Sequence, residues 1–174
     1  MAHSMTGDTV TYRLVGYRLL AFVVFGPMAC VAVLLVLTLP SNTDPRLDAF
    51  IAFWLGVLAW NFYWFFFRVA YEVGVIDASR LRWRTIAASS EAPLARIKGI
   101  NAPFGSFAAG FRRIRIDGQR SPLLIGVSGV GEVIAMIAAA RPDIPIQTSW
   151  LDRTYERFAI NTVRWRRVGG SGGS

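Results

Sequence analysis

The sequence predicts a membrane α-helical hairpin followed by an α+β domain, in which an antiparallel sheet or barrel is capped by a C-terminal helix. Two long apolar stretches without charged residues fill most of the first 70 positions. After residue 68 the apolar residues alternate with polar ones, which is typical of half-buried strands. Residues 130–140 then carry apolar side chains at helical spacing. Together these observations predict an anchor that holds a sheet domain.

The two apolar stretches are residues 19–39 and 49–67. As helices with a rise of ~1.5 Å per residue they reach about 28 to 32 Å, enough for a hydrocarbon core of ~30 Å. A cleaved signal peptide is the alternative for the first stretch. That stretch is longer than an ordinary signal-peptide core, and it stays apolar after Cys30. We therefore predict two transmembrane helices joined by an external turn at 40–48.

The distribution of charge predicts the orientation of this hairpin. Of the 19 basic and 11 acidic residues, 16 basic and 8 acidic residues follow Phe67, whereas the turn has one arginine and two aspartates. Cytoplasmic flanks of membrane helices are enriched in Lys and Arg. We therefore expect a multi-pass protein of the bacterial plasma (inner) membrane, with both the flank at 5–18 and the domain after residue 67 in the cytoplasm.

The two ends of the chain are set apart by their composition. Residues 1–4 are typical of a vector-derived leader and residues 169–174 of an artificial Gly/Ser linker. The single histidine, His3, lies in that leader, and the single cysteine, Cys30, lies in the first apolar stretch. Histidine-based acid/base pairs, Cys-His nucleophiles and His- or multi-Cys zinc sites therefore have no residues to form them. We expect no catalytic residues, no metal site and no cofactor.

The second apolar stretch is rich in aromatic residues, among them Trp60 and Trp64. Aromatic rings near the cytoplasmic end of a membrane helix are typical of an interfacial belt. The same rings are also suited to contact with a larger membrane protein or with a second copy of the chain. We therefore treat Trp60 and Trp64 as candidate partner-binding residues, with the belt as the alternative.

The strand and helix patterns of residues 68–146 predict the sheet domain. Residues 71–76 have a strand pattern, and residues 80–84 alternate strictly, which places Leu81 and Trp83 on one face and three arginines on the other. We expect another short strand at residues 93–100, a pair of strands at residues 111–116 and 121–127, and a helix at residues 130–140. No clear strand is predicted between 101 and 110.

In this order of segments the chain resembles the bacterial pleckstrin-homology-like (bPH) domain proteins, in which the domain follows two membrane helices. The resemblance covers roughly residues 10–146 and includes a Pro-Leu marker segment, formed by Pro93, Leu94, Ile97 and Ile100. It implies a binding or scaffolding role rather than a reaction. Function has to be argued from sites, however, because one fold carries many functions.

Basic residues provide the first candidate site. Juxtamembrane Lys and Arg are attracted to anionic lipids by about 1 kcal/mol each near the surface. The candidate headgroup-binding residues are Arg80, Arg82, Arg84, Arg96, Lys98, Arg113 and Arg115. The alternative is an ordinary solvated strand face. Binding to nucleic acid is not expected, because the chain has no recognition motif and is predicted to be held at a membrane.

The tail at 147–168 has helical spacing, with an apolar face and basic residues beside it. This pattern predicts an amphipathic helix that lies on the membrane, docks on a partner or packs on its own domain. The candidate partner-binding residues of this face are Leu151, Tyr155, Phe158 and Trp165.

These features are surfaces rather than reaction centres. They predict a non-catalytic accessory or scaffolding protein that contacts membrane lipids and binds a membrane-protein partner or a copy of itself. The alternatives are a module that senses anionic lipids at the inner leaflet and a self-associating membrane hairpin.

Overall fold

The computed structural model describes residues 9–38, 44–103, 110–147 and 163–168. These residues form two compact units. One contains residues 17–66, and the other contains residues 9–16 together with the described residues from 67 onward. The prediction of two long apolar helices and an antiparallel-sheet domain with a further helix is confirmed.

The helical unit contains α1 (Tyr17–Thr38) and α2 (Pro45–Phe67). Both begin earlier than predicted, so Arg46 and Asp48 lie in the first turn of α2 rather than in the external turn. Asp44 explains this start, because its Oδ1 accepts a hydrogen bond from the backbone N–H of Arg46 at 2.9 Å. A capping carboxylate followed by proline is a favourable helix start.

The two helices pack antiparallel through aromatic contacts. The ring of Phe25 meets the edges of Phe62 and Phe65, at centroid distances of 6.0 and 5.2 Å. At the same end of the pair, the Tyr17 hydroxyl donates to the carbonyl of Phe65 at 2.9 Å. Most remaining apolar side chains face outward, and both helices are long and apolar enough to cross a membrane.

The sheet unit contains eight strands and one α-helix among the described residues. The first sheet has five antiparallel strands in the order β4-β3-β2-β1-β8, and the second has three in the order β5-β6-β7. The first comprises β1 (Val10–Val15), β2 (Glu72–Ile76), β3 (Arg80–Arg84), β4 (Ser89–Pro93) and β8 (Arg164–Arg167). The remaining elements are β5 (Ile97–Asn101), β6 (Phe111–Ile116), β7 (Leu123–Ile125) and α3 (Val130–Ala140).

The core lies between the inward faces of these strands and α3. Alternation along β3 buries Leu81 and Trp83 and leaves its arginines outside, as the sequence predicts. In α3, Val133 and Ile137 are fully buried. The predicted strand at 93–100 is divided in the structure, because a single 3-10 turn at Leu94–Arg96 separates β4 from β5.

Strand β1 lies within the segment 5–18, for which the sequence predicts only a cytoplasmic flank. Its six residues pair with β2 on one side and β8 on the other. Tyr12 and Leu14 are buried, while Arg13 between them is exposed. The sheet unit therefore includes a strand that precedes both apolar helices in the sequence.

The predicted tail helix is wrong for residues 164–167, which form β8. Trp165, assigned to an apolar helix face, is only 3% exposed and lies opposite Leu14 of β1. The run Arg-Trp-Arg fits a strand as well as a helix, and pairing with β1 decides between them. This end of the tail packs on its own domain. Leu151, Tyr155 and Phe158 lie outside the described residues.

Candidate functional site

The three arginines of β3 lie on the outer face of the first sheet, and Glu91 of β4 pairs with two of them. Its two carboxylate oxygens lie 3.6 Å from Arg80 Nη1 and 3.6 Å from Arg82 Nε. All three side chains are solvent-exposed. Pairs of this kind contribute little to stability, but they reduce the net positive charge that the face presents.

Glu72 of β2 also pairs with two arginines on this face, those at positions 13 and 84. Its carboxylate accepts hydrogen bonds from Arg13 Nη2 at 2.6 Å and Nε at 2.9 Å, and it lies 3.6 Å from Arg84. The Glu72 side chain is only 12% exposed. The sequence analysis missed Arg13 and Glu72. The alternation of the apolar Tyr12 and Leu14 with the charged Arg13 is the sequence feature that indicates a strand here.

The other candidate basic residues belong to the second sheet and the turn that leads into it. Lys98 lies 3.4 Å from Asp117, and Arg113 Nε donates to Asn101 Oδ1 at 3.3 Å. Arg96 and Arg115 are exposed. The seven predicted headgroup-binding residues are therefore divided among the first sheet, the second sheet and the 3-10 turn between them, and four of them lie within 4 Å of a carboxylate.

Arg112, beside the predicted set, lies on the inward face of β6 and is 4% exposed. Burial lowers the pKa of its guanidinium below the ordinary value by desolvation. Its Nη1 donates to the carbonyl of Phe111 at 3.0 Å. This arginine is part of the interior of the sheet unit rather than of a charged outer face.

The predicted tryptophans of α2 are neighbours, with ring centroids 5.8 Å apart. Trp60 is 61% exposed within the chain, and Trp64 is half-buried. Helical spacing places Trp60 on the same stripe as Phe53 and Phe67, which are also exposed, and away from the rings that pack on α1. We call Phe53, Trp60 and Phe67 the outer stripe of α2. Trp165, by contrast, is buried and is not available for a partner.

A cleft of about 440 Å³ opens in the sheet unit. It is formed by the connection between β3 and β4, the connection between β6 and β7, and the segment that follows α2. Its apolar lining includes Phe67, Trp83 and Pro122, and its charged lining consists of Arg68, Arg120 and Glu91. Arg120 belongs to a basic segment noted in the sequence, but its grouping with Arg68 and Glu91 is not predicted from the sequence.

Backbone hydrogen bonds fix the walls of this cleft. The carbonyl of Arg68 accepts from the N–H of Leu123 at 2.8 Å, which joins the segment after α2 to the second sheet. On the opposite wall, Thr85 and Ala88 exchange hydrogen bonds, with Thr85 N donating to Ala88 O at 2.8 Å. Ser121 Oγ accepts from Ile116 N at 3.4 Å. The cleft is therefore built from ordered backbone.

Within the described ranges no three His, Cys, Asp or Glu side chains are grouped in a way that could hold a metal ion. The basic groups described above are mainly arginines, and guanidinium groups bind anions and acidic surfaces. Comparison of the chain with known proteins finds no matching family model, no matching curated protein and no matching solved structure.

Proposed function

We propose that the chain is a non-catalytic accessory or scaffolding protein of the bacterial inner membrane, anchored by α1 and α2, that binds a partner membrane protein. The observation that carries this proposal is the outer stripe of α2, where large rings lie exposed on the side away from α1. Aromatic anchors in a buried interface supply much of its binding energy.

Strand pairing supports a hairpin anchor. Strand β1 precedes α1 and β2 follows α2, yet the two are hydrogen-bonded neighbours, with Val10 opposite Val75. If both helices cross a bilayer, the chain must therefore enter and leave on the same side. The excess of arginine in the sheet unit favours the cytoplasmic side.

The bPH assignment is part of this proposal. Two antiparallel sheets followed by α3 are compatible with a pleckstrin-homology-like domain, to which β1 and β8 would be additions. Such domains serve binding rather than chemistry, which agrees with the surfaces described above.

Charge pairing on the first sheet argues against the anionic-lipid alternative at β3. Glu72 and Glu91 each lie beside two arginines, so Arg80, Arg82 and Arg84 do not form a block of uncompensated positive charge. A face of alternating charges is better suited to a complementary protein surface than to a uniformly anionic membrane.

Site-specific photo-crosslinking tests the proposal. The full-length chain carries a benzophenone amino acid at position 60 of α2 or, as the matched control, at position 22 of α1, where Phe22 is 74% exposed. After irradiation in native membranes, we expect one discrete heterologous protein adduct from position 60, and lipid adducts from position 22.

Adducts with a second copy of the chain at position 60 would replace the proposal with the self-associating hairpin. Lipid adducts alone at both positions would contradict it, because rings of an interfacial belt contact only lipid. As an independent check, Trp60→Ala should abolish the heterologous adduct formed from a probe at position 53, whereas Phe22→Ala should leave it unchanged.

A further inference from the structure

We propose that the cleft between the β3–β4 and β6–β7 connections is a binding site for a phosphate ester, held by Arg68 and Arg120. This site shares only Phe67 with the outer stripe of α2, and its two arginines are not among the seven basic residues predicted from the sequence. The proposal therefore goes beyond the scaffolding function and can fail or stand without it.

The charges of the cleft favour an anion. Among the described residues, the charged lining consists of Arg68, Arg120 and the carboxylate of Glu91, which is also paired with Arg80 and Arg82 on the outer face. The lining therefore has a net positive charge. A guanidinium presents several N–H donors in a planar fork that matches the oxygens of a phosphate, and such charge-assisted hydrogen bonds are the strong ones.

Neutral polar groups of the cleft suit the rest of a phosphate ester. Ser90, Gln119 and Ser121 line the same space and offer hydroxyl and amide groups for hydrogen bonds to phosphate or glycerol oxygens. Trp83 and Pro122 are buried and close the cleft with apolar surface. A cleft with apolar walls and a few convergent polar groups is the usual form of a small-molecule site.

The size of the cleft indicates a ligand larger than a bare anion. Its volume of about 440 Å³ falls in the ~300 to 1,000 Å³ range of ordinary ligand sites. One water occupies about 30 Å³ of liquid, so this space equals about 15 waters. A phosphate together with its glycerol or headgroup alcohol matches that volume better than inorganic phosphate does.

Chain connectivity favours a lipid as the source of the phosphate. Arg68 directly follows Phe67, the last residue of α2, and both line the cleft. If α2 crosses the bilayer, Arg68 lies at the level of the lipid phosphates, where arginine is known to anchor helix ends. The half-exposed Phe67 ring at the cleft then adjoins the acyl region.

Native mass spectrometry of the full-length chain in detergent tests the site. The protein is titrated separately with dioleoyl phosphatidylglycerol, glycerol 3-phosphate and inorganic phosphate. We expect a single saturable adduct with at least one phosphate ester. Arg120→Gln and Arg68→Gln should each weaken it about tenfold or more, because each removes charge-assisted hydrogen bonds. Arg115→Gln, an exposed arginine of β6 outside the cleft, is the control of equal charge and should change the affinity less than twofold.

A variant that binds more tightly distinguishes a lost contact from misfolding as the cause of weaker binding. Glu91→Gln removes the carboxylate that lines the cleft among the described residues and should strengthen the adduct severalfold, while Glu132→Gln, at an exposed position of α3, changes net charge equally and should not. Preference for phosphatidylglycerol over glycerol 3-phosphate assigns the source to the membrane, and the reverse preference assigns it to a soluble ester. No saturable adduct, or equal losses from Arg115→Gln and Arg120→Gln, would overturn the proposal.

Discussion

The indole Nε1 of Trp165 donates a hydrogen bond to the carbonyl of Ile125, 3.0 Å away, and this bond joins the two sheets. Trp165 belongs to β8 of the first sheet and Ile125 to β7 of the second. The backbone N–H of Trp165 also donates to Ser128 at 2.8 Å, in the connection before α3. The side chain and the backbone of Trp165 together therefore join β8 to β7 and to the connection before α3.

Trp165→Ala should destabilise the sheet unit by about 3 to 5 kcal/mol, the usual cost of removing a large buried aromatic side chain. Trp165→Phe keeps most of the apolar volume but leaves the carbonyl of Ile125 without its indole donor, and should cost about 1 to 3 kcal/mol. Hydrogen exchange of the β1 amides in the full-length chain measures both losses, because β1 pairs directly with β8.

The matched control for this series is Trp60→Ala, which removes the same side chain from an exposed position on α2. It should leave exchange in β1 unchanged. Equal protection of β1 in Trp165→Ala and in the unsubstituted chain would show that β8 does not hold the sheet unit together.

Gly129→Ala should be more harmful than Gly118→Ala, although both glycines have positive φ angles, +83° and +68°. The positive φ costs each alanine about 1 to 2 kcal/mol. At position 129 the new Cβ would also lie 2.6 Å from the carbonyl oxygen of Trp165, whereas nothing lies within 4 Å at position 118. The difference in unfolding free energy between the two variants isolates this contact, and equal losses would contradict it.

Sequence periodicity was sufficient for the elements whose partners are close along the chain. The strict alternation of Leu81 and Trp83 with the arginines predicted β3, and the apolar spacing of residues 130–140 predicted α3. Both patterns follow directly from which face is buried. The two apolar helices were equally clear, because length and lack of charge suffice to identify them.

Strands β1 and β8 could not be predicted in the same way, because each gains its stability from a partner that is distant in sequence. Leu14 and Trp165 are about 150 positions apart in sequence but lie opposite each other in the sheet. An Arg-Trp-Arg segment is compatible with a strand or a helix until its partner is known. The cleft was missed for the same reason, since Arg68 and Arg120 come together only when the second sheet forms.

Asp143→Asn should reduce stability at neutral pH and have less effect in acid. Arg141 donates three hydrogen bonds to this carboxylate, at 3.0 to 3.3 Å, and thereby lowers the pKa of Asp143 below its ordinary value of 3.8. A carboxylate with a lowered folded-state pKa contributes stability that is complete above 3.8 and is lost as the pH falls through the folded pKa.

The measurement is the unfolding midpoint of the full-length chain and of Asp143→Asn between pH 7 and pH 2. We expect the two curves to converge below pH 3.8. A gap between Asp143→Asn and the unsubstituted chain that stays constant through this range would contradict the assignment.

Glu72→Gln should destabilise the first sheet by about 1 kcal/mol, because it leaves Arg13 and Arg84 facing each other without the carboxylate between them. A double-mutant cycle with Arg13→Gln measures the pair alone. We expect a favourable coupling free energy of about 0.5 to 1 kcal/mol that decreases with added salt, since the Arg13 side chain is half-exposed. A coupling free energy of zero at low salt would contradict this pairing.

Arg166→Gln, unlike Glu72→Gln, should increase the stability of the first sheet. Arg166 of β8 lies directly opposite Arg13 of β1, and like charges at opposed positions are unfavourable by about 0.2 to 1 kcal/mol. Arg167→Gln is the matched control, because the neighbouring Arg167 is exposed on the same strand but lies opposite Tyr12 rather than an arginine. Urea unfolding at low salt should place Arg166→Gln above Arg167→Gln in stability, and added salt should remove the difference, because it screens repulsion between exposed charges. If the two variants are equally stable at low salt, Arg13 and Arg166 do not repel each other, and Glu72 already neutralises this row of the sheet.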